Sequence, residues 1–287
     1  MGVPRNPAET VAAITVSYGS GDVLPGLLGS LRVAAQQPLT VFVVDNSPEP
    51  AVEELALRSG ATYLPLPANP GYGGAVNAAA RLLDDSVEWL LVVNPDVVLE
   101  PGSVDALLAA AAGDPAIGAV GPAILSPDGS VYPSARQIPS LRTGIGHALF
   151  SGAWPGNPWS RRYRQADEFA ARDAGWLSGA CLLVRRSAFD GVGGFDEGYF
   201  MYFEDVDLGM RLGRAGWRNR YEPAARVTHS GAHATTRARE AMVEAHHASA
   251  GRFLTRKYPG PLWAPVRLAL RVGLRLRSFA VRYRRRA

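Results

Sequence analysis

Apolar residues along this chain fall alternately into short unbroken runs and into helical spacing. Val11 to Val16 and Leu39 to Val44 are apolar runs of strand length. Between them Leu24, Leu27, Leu28 and Leu31 recur at the spacing of one helix face, with Asp22 placed to cap its N-terminus. The alternation continues. Val52, Leu55 and Ala56 mark a short helix stopped by Gly60, and Thr62 to Leu64 a third strand. Gly74 to Leu83 reads as a helix, Trp89 to Val93 as a fourth strand, and Ser103 to Ala112 as an alanine- and leucine-rich helix. Such alternation predicts an α/β fold: a mostly parallel, twisted, Rossmann-like sheet flanked by helices.

From Ile117 to Ile124 onward the pattern is less regular. Residues 133–173 are rich in Pro, Gly, Trp and Arg without clear period and read as a long loop region. Gly179 to Val184 is a further buried strand, another short strand precedes His229, and Glu204 to Ala215 is a helix ended by Gly216. Glu240 to Lys257 is helical too, and no repeat or low-complexity segment interrupts the chain.

Length and charge narrow the function. With 287 residues, 47% of them hydrophobic, the chain can bury a full core. The formal charge of +4 belongs to the tail, because residues 263–287 hold eight arginines and no acid. Without those eight, 22 basic residues face 26 acidic ones, a net of −4, which argues against a nucleic-acid partner. Read as a helix, the tail places Arg267, Arg271, Arg275 and Arg282 on one face, with Leu268, Val272, Leu276, Phe279 and Tyr283 mostly on the other. That pattern suits an anionic membrane surface. No run approaches the ~20 apolar residues of a membrane span, and residues 1–13 do not read as a signal peptide. The single cysteine, Cys181, lies in an apolar run and reads as a small buried hydrophobe.

Two sets of acids carry the candidate chemistry. Tyr199-Phe200-Met201-Tyr202-Phe203 runs directly into Glu204, Asp205 and Asp207. Burial beside the aromatics makes ionisation costly and lifts at least one acid toward a general base. Helical geometry points Glu204 and Asp207 roughly one way and Asp205 another, although acids in a first helical turn are also ordinary dipole partners. Asp96 ends the run Trp89 to Asn94-Pro95, where open α/β sheets bind ligands. One carboxylate is the minimum for holding a divalent cation against a diphosphate. His229 can complete such a site, whereas His229 with His233 lacks the further ligands of a zinc centre. Asp45 at a strand end can accept from a uracil or thymine imide, or serve as a helix cap. Asn69-Pro70-Gly71-Tyr72-Gly73-Gly74 is either a phosphate-facing turn or a plain glycine turn, and it does not match G-x-G-x-x-G. Acids presented separately on two elements suggest a metal-assisted transfer enzyme.

Taken in order, several segments resemble the family-2 inverting glycosyltransferases of the GT-A fold. They are Thr15-Val16-Ser17-Tyr18, Val43-Val44-Asp45-Asn46-Ser47, Asn69-Pro70-Gly71-Tyr72-Gly73, Val93-Asn94-Pro95-Asp96, Gly175-Trp176-Leu177-Ser178-Gly179-Ala180 and Gly193-Gly194-Phe195-Asp196-Glu197. The aromatic run into Glu204-Asp205-Val206-Asp207, then Gly209-x-Arg211, completes the set. Within the family, Pro127-Asp128-Gly129-Ser130-Val131-Tyr132-Pro133-Ser134-Ala135-Arg136-Gln137, Asn157-Pro158-Trp159 and Tyr163-Arg164-Gln165 are most similar to the actinobacterial rhamnosyltransferases acting on polyprenyl-diphosphate N-acetylglucosamine.

The resemblance implies a GT-A catalytic domain over 1–238, with a nucleotide-binding half at 11–125 and an acceptor half at 126–238. It also implies a helical, membrane-associating segment over 239–287. Asp205 is then the acceptor-activating base with Glu204 beside it. Thr15, Ser17, Asp45, Gly73, Asn77 and Asn94 hold the nucleotide, and Asp96 and His229 hold Mg²⁺ or Mn²⁺. Trp176 and Ser178 face the acceptor sugar. Asn94 stands where the family's D-x-D signature has its first aspartate, so anionic ligands are fewer. The implied reaction moves L-rhamnose from dTDP-L-rhamnose to the 3-hydroxyl of N-acetylglucosamine on polyprenyl (decaprenyl) diphosphate, with inversion, in cell-wall synthesis. The implied place is the cytoplasmic face of the plasma membrane, peripherally, and a homodimer is left open. The alternatives are a UDP-sugar transferase of the same family, galactofuranosyl or hexosyl, and a non-catalytic sugar-nucleotide binding module.

Overall fold

Side chains of successive residues in a strand point to opposite faces, and here both faces are covered. The computed structural model describes residues 10–140, 170–231, 236–266 and 268–269. In β1 (Val11–Ser17), Val11 and Ala13 enter one apolar cluster while Ala12, Ile14 and Val16 enter another. The first cluster is closed by α1 (Leu24–Ala34), α2 (Pro50–Arg58) and α4 (Ser103–Ala111). The second is closed by α3 (Gly71–Ala80), α5 (Arg186–Gly191) and α6 (Glu204–Arg214). The result is a three-layer sandwich.

Strands β2 (Thr40–Asp45), β3 (Thr62–Pro65) and β4 (Trp89–Val93) lie parallel with β1. The sheet continues through β11 (Cys181–Arg185), β6 (Ile117–Leu125), β12 (Arg218–His229) and β5 (Val97–Leu99), in the order β3-β2-β1-β4-β11-β6-β12-β5. Only β11 and β5 run against the others on this path, so the mostly parallel sheet is found. Short β7 (Val131–Tyr132) and β9 (Arg172–Ala174) pair at its side. A separate ribbon joins β8 (Ala135–Arg136) to β10 (Trp176–Leu177). Helix α7 (Thr236–Lys257) reaches the body through Phe253, which packs with Trp176, Tyr199, Val206 and Met210.

Four local readings change. Helix α1 begins at Leu24 with Val23 at the N-cap position and no side-chain cap, so Asp22 does not cap it. Helix α3 spans Gly71–Ala80, starting three residues before Gly74 and ending before Leu83, because Gly71 turns the chain at φ +81°. The strand ending at His229 is 12 residues long; an irregularity between Glu222 and Arg226 absorbs Pro223, which would otherwise break the pairing. The expected loop over 133–173 carries β8 at one end and β9 at the other, while residues 141–169, with both motif segments there, lie outside the described residues. Arg267, His233 and residues 270–287 lie outside them too.

Candidate active site

Antiparallel pairing of β12 with β5 sets His229 opposite Val97, beside the Asn94-Pro95-Asp96 turn that leaves β4. His229 Nε2 lies 3.1 Å from Asp96 Oδ1 and 3.4 Å from Asn94 Nδ2. The other carboxylate oxygen of Asp96 accepts from Gly231 N–H at 3.0 Å and Ser230 Oγ at 3.3 Å. Burial works to raise the Asp96 carboxyl, but the hydrogen bond and charge of His229 and the Gly231 N–H outweigh it and hold it below its ordinary value. Among the described residues no group of three or more His, Cys, Asp or Glu converges. One carboxylate and one imidazole fit a cation that draws its remaining ligands from water and phosphate oxygens.

Asp205 is delivered by strained backbone. Tyr202 and Phe203 both take φ +67°, a left-handed conformation that bulky residues avoid at a cost of roughly 1–3 kcal/mol each. Packing holds them there. The Ser249 hydroxyl donates to Met201 O at 2.8 Å, the His246 ring meets both aromatics edge-on, and Phe203 lies against Phe253. On the other side Tyr72 N–H donates to Phe200 O at 3.0 Å, and a Cβ on Gly71 would come 2.2 Å from that oxygen. Only glycine fits there.

The strained turn starts α6 with its acids in three different settings. Asp205 Oδ2 accepts from Gly179 N–H at 3.0 Å and Oδ1 from Val206 N–H at 2.8 Å. Burial raises its carboxyl, opposed by those N–H groups and by the charge of Arg136. Glu204 is raised as well, by burial and then by Asp205, and its buried Oε2 has no hydrogen-bond partner among the described residues. Asp207 is fully buried and paired with Arg211 at 2.6 Å, with Tyr199 Oη at 3.5 Å. It holds structure.

A short backbone segment connects the two acids expected from the sequence. Gly179 N–H binds Asp205, Gly179 O accepts from Tyr72 Oη at 2.8 Å, and Ala180 O accepts from Asn94 N–H at 2.9 Å. The Tyr72 phenol is pushed well above its ordinary value by burial and then by Glu204, Asp205, Cys181 and Asp96. Asp205 and the Asn94–Asp96 turn therefore flank one locus. Neither Tyr72 nor Gly179 is marked by residue type or spacing, although both lie in segments that carry the resemblance.

Thr15, Ser17 and Asp45 come together at the ends of β1 and β2, with Ser17 opposite Asp45. The Thr15 and Ser17 hydroxyls are buried and without a hydrogen-bond partner among the described residues. Asp45 accepts from Ser47 N–H, Glu49 N–H and Tyr63 Oη at 3.1, 3.2 and 3.1 Å, so its carboxylate ties down the turn into α2. Gly73 and Asn77 do not join this group. A Cβ on Gly73 would meet Phe195 Cβ at 2.8 Å, and the Asn77 amide is bonded to both backbone groups of Phe195. Trp176 is buried against α6, with its Nε1 unpartnered among the described residues, and Ser178 N–H donates to Ser134 O. Burial pushes the Cys181 thiol up to about 12, so it stays neutral, as its apolar run implies. A cavity of about 490 Å³ between α3 and α5 lies apart from Asp205 and Asp96, and its Arg81, Arg186 and Arg211 are each paired with an acid.

Residues 12–193 match the family model "Glycosyl transferase family 2". The chain belongs to glycosyl transferase family 2. This family-2 chain is therefore an enzyme, a glycosyltransferase. It is 47% identical over 282 residues to N-acetylglucosaminyl-diphospho-decaprenol L-rhamnosyltransferase of Mycobacterium tuberculosis, covering 94% of this chain and 92% of that one. Its fold matches the mannosyltransferase PcManGT of Pyrobaculum calidifontis, solved with GDP-Man and Mn²⁺, at a TM-score of 0.58 and 16% identity, covering 91% of this chain and 68% of that one. It also matches S. aureus TarS (residues 1–349) at a TM-score of 0.56 and 15% identity, covering 92% and 71% of the two chains. At those identities the solved structures speak to the fold alone, which is the GT-A arrangement expected.

Proposed function

We propose that this family-2 enzyme transfers L-rhamnose from dTDP-L-rhamnose to the 3-hydroxyl of N-acetylglucosamine carried on polyprenyl (decaprenyl) diphosphate, inverting the anomeric centre. The observation that carries the reading is the 47% identity to the M. tuberculosis rhamnosyltransferase across 94% of the chain. Asp205 takes the acceptor proton as that oxygen attacks the anomeric carbon opposite the nucleotide. Its raised carboxyl suits a base working near neutral pH, and Gly179 N–H fixes its orientation. Thr15, Ser17 and Asp45 receive the nucleoside, which supplies the partners that the two buried hydroxyls otherwise lack. Asn94 faces the nucleotide, while Trp176 and Ser178 border the acceptor.

Asp96 and His229 would hold a divalent cation, Mg²⁺ or Mn²⁺, whose charge offsets that of the departing diphosphate. No helix among the described residues is long and apolar enough to cross a membrane. Peripheral binding to an anionic cytoplasmic membrane surface is supported by exposed Leu262, Trp263 and Leu268 ahead of the arginine-rich end. The decisive assay is turnover of dTDP-rhamnose with a short-chain lipid-diphosphate N-acetylglucosamine, with and without Mg²⁺ or Mn²⁺. Asp205→Asn should lower turnover at least about a hundredfold while nucleotide binding persists. A faster reaction with UDP-sugars, or full activity of Asp205→Asn, overturns the donor or the base respectively.

A further inference from the structure

The ribbon of β8 and β10 places one more charged group beside the reacting acid. Arg136 is directly opposite Trp176 in antiparallel register, so both side chains leave the ribbon on one face. Its guanidinium lies between two rings, 5.4 Å from the Tyr132 centroid and 5.7 Å from that of Trp176. Nε donates to Pro133 O at 2.6 Å, and Gly175 N–H donates to Arg136 O at 2.9 Å. The side chain is half-buried and oriented by these contacts. Three residues beyond Trp176, Gly179 N–H holds Asp205, and the Arg136 charge acts on that carboxylate.

We propose that Arg136 binds the diphosphate of the acceptor, a separate anion site from the donor diphosphate at Asp96 and His229. The proposal rests on the acceptor class given above. In such an acceptor the diphosphate is attached to C1 of the sugar whose 3-hydroxyl reacts. A base at the hydroxyl and a cation at the diphosphate are therefore separated by one sugar ring. Arg136 faces Trp176 across the ribbon, and Gly179, three residues beyond Trp176, donates its N–H to Asp205. Donor and acceptor each bring a diphosphate, and two such anions in one cleft repel unless each meets its own positive charge. A planar, permanently charged guanidinium suits the task, because it can contact two phosphate oxygens at once. The ordinary reading is that Arg136 only ties its turn to Trp176.

Full-length wild type, Arg136→Ala and Arg136→Lys are compared on polyprenyl-diphosphate N-acetylglucosamine and on an uncharged alkyl N-acetylglucosaminide. Arg136→Ala should raise KM for the diphosphate acceptor about tenfold to a hundredfold, leaving donor KM and KM for the uncharged acceptor nearly unchanged. Any change in kcat through the Asp205 carboxyl should fall on both acceptors alike. Arg136→Lys should recover part of the loss. An equal rise in KM on both acceptors, or a rise in donor KM, overturns the site. Binding of the diphosphate acceptor without donor is titrated alongside. If wild type binds but transfers nothing, and Arg136→Ala weakens that binding, the transfer reading fails and the anion site stands. If wild type transfers and Arg136→Ala changes neither KM nor binding, the site alone fails.

Discussion

Glu204 and Asp205 are neighbours in sequence with unlike surroundings. Asp205 accepts two backbone N–H groups, whereas Glu204 is buried with one oxygen unpartnered. Burial and the charge of Asp205 raise the Glu204 carboxyl above its value in an unfolded chain. A raised carboxyl contributes nothing below the unfolded pKa, since both states are then protonated. As pH rises from the unfolded pKa toward the folded one, about 8, the unfolded chain ionises while the native carboxyl stays protonated. The native state therefore loses stability until the folded pKa is reached. Glu204→Gln should therefore raise the melting temperature at neutral and alkaline pH and leave it unchanged near pH ~4. The gain should exceed about 1.4 kcal/mol, the equivalent of one pKa unit. Thermal melts across that range check it, and a pH-independent gain contradicts the account. Aromatics running into three acids made a perturbed carboxyl legible from sequence. Which acid was structural was not legible, because Asp207 owes its role to Arg211 one turn along and to the buried Tyr199.

Helix α7 supports the turn that leads into the proposed base. Ser249, His246 and Phe253 hold the left-handed turn at Tyr202 and Phe203, and that turn aims the first residues of α6. Phe253 is 1% exposed and joins the cluster holding Trp176 and Val206. Phe253→Ala should cost about 3 kcal/mol and lower kcat more than donor affinity, because the turn can relax. Phe253→Leu should restore most of both. Melting curves with steady-state kinetics read the two effects together. Strands β1, β2 and β4 were legible because each is an apolar run largely buried on both sides of the sheet. The start of α3 and the length of β12 were not, since a glycine at positive φ and an irregularity around Pro223 decide them. Neither leaves a periodic signal.

Across the whole molecule, charge is segregated: the net of +4 comes from eight arginines beyond position 262. With the proposed lipid-borne acceptor, an enzyme held at an anionic surface would meet its substrate more often. Replacing Arg282, Arg284, Arg285 and Arg286 with Gln should weaken sedimentation with anionic vesicles by about 1 kcal/mol per charge. Binding to zwitterionic vesicles and turnover of a soluble acceptor should not change. Equal vesicle binding by both forms would remove the tail from the membrane role.

The amino-acid sequence by itself determined the α/β alternation, the acids at 96 and 205, the basic tail and the family-2 resemblance, because each is a local pattern of residue type and spacing. Tertiary structure alone decided the rest. Antiparallel pairing of β12 with β5 carried His229 to Asp96 across 133 positions of chain, and the Gly179–Ala180 backbone joined the Asp96 turn to Asp205. It also diverted Gly73 and Asn77 into packing around Phe195. Contacts between residues far apart in sequence depend on sheet order and register, and no local spacing encodes them.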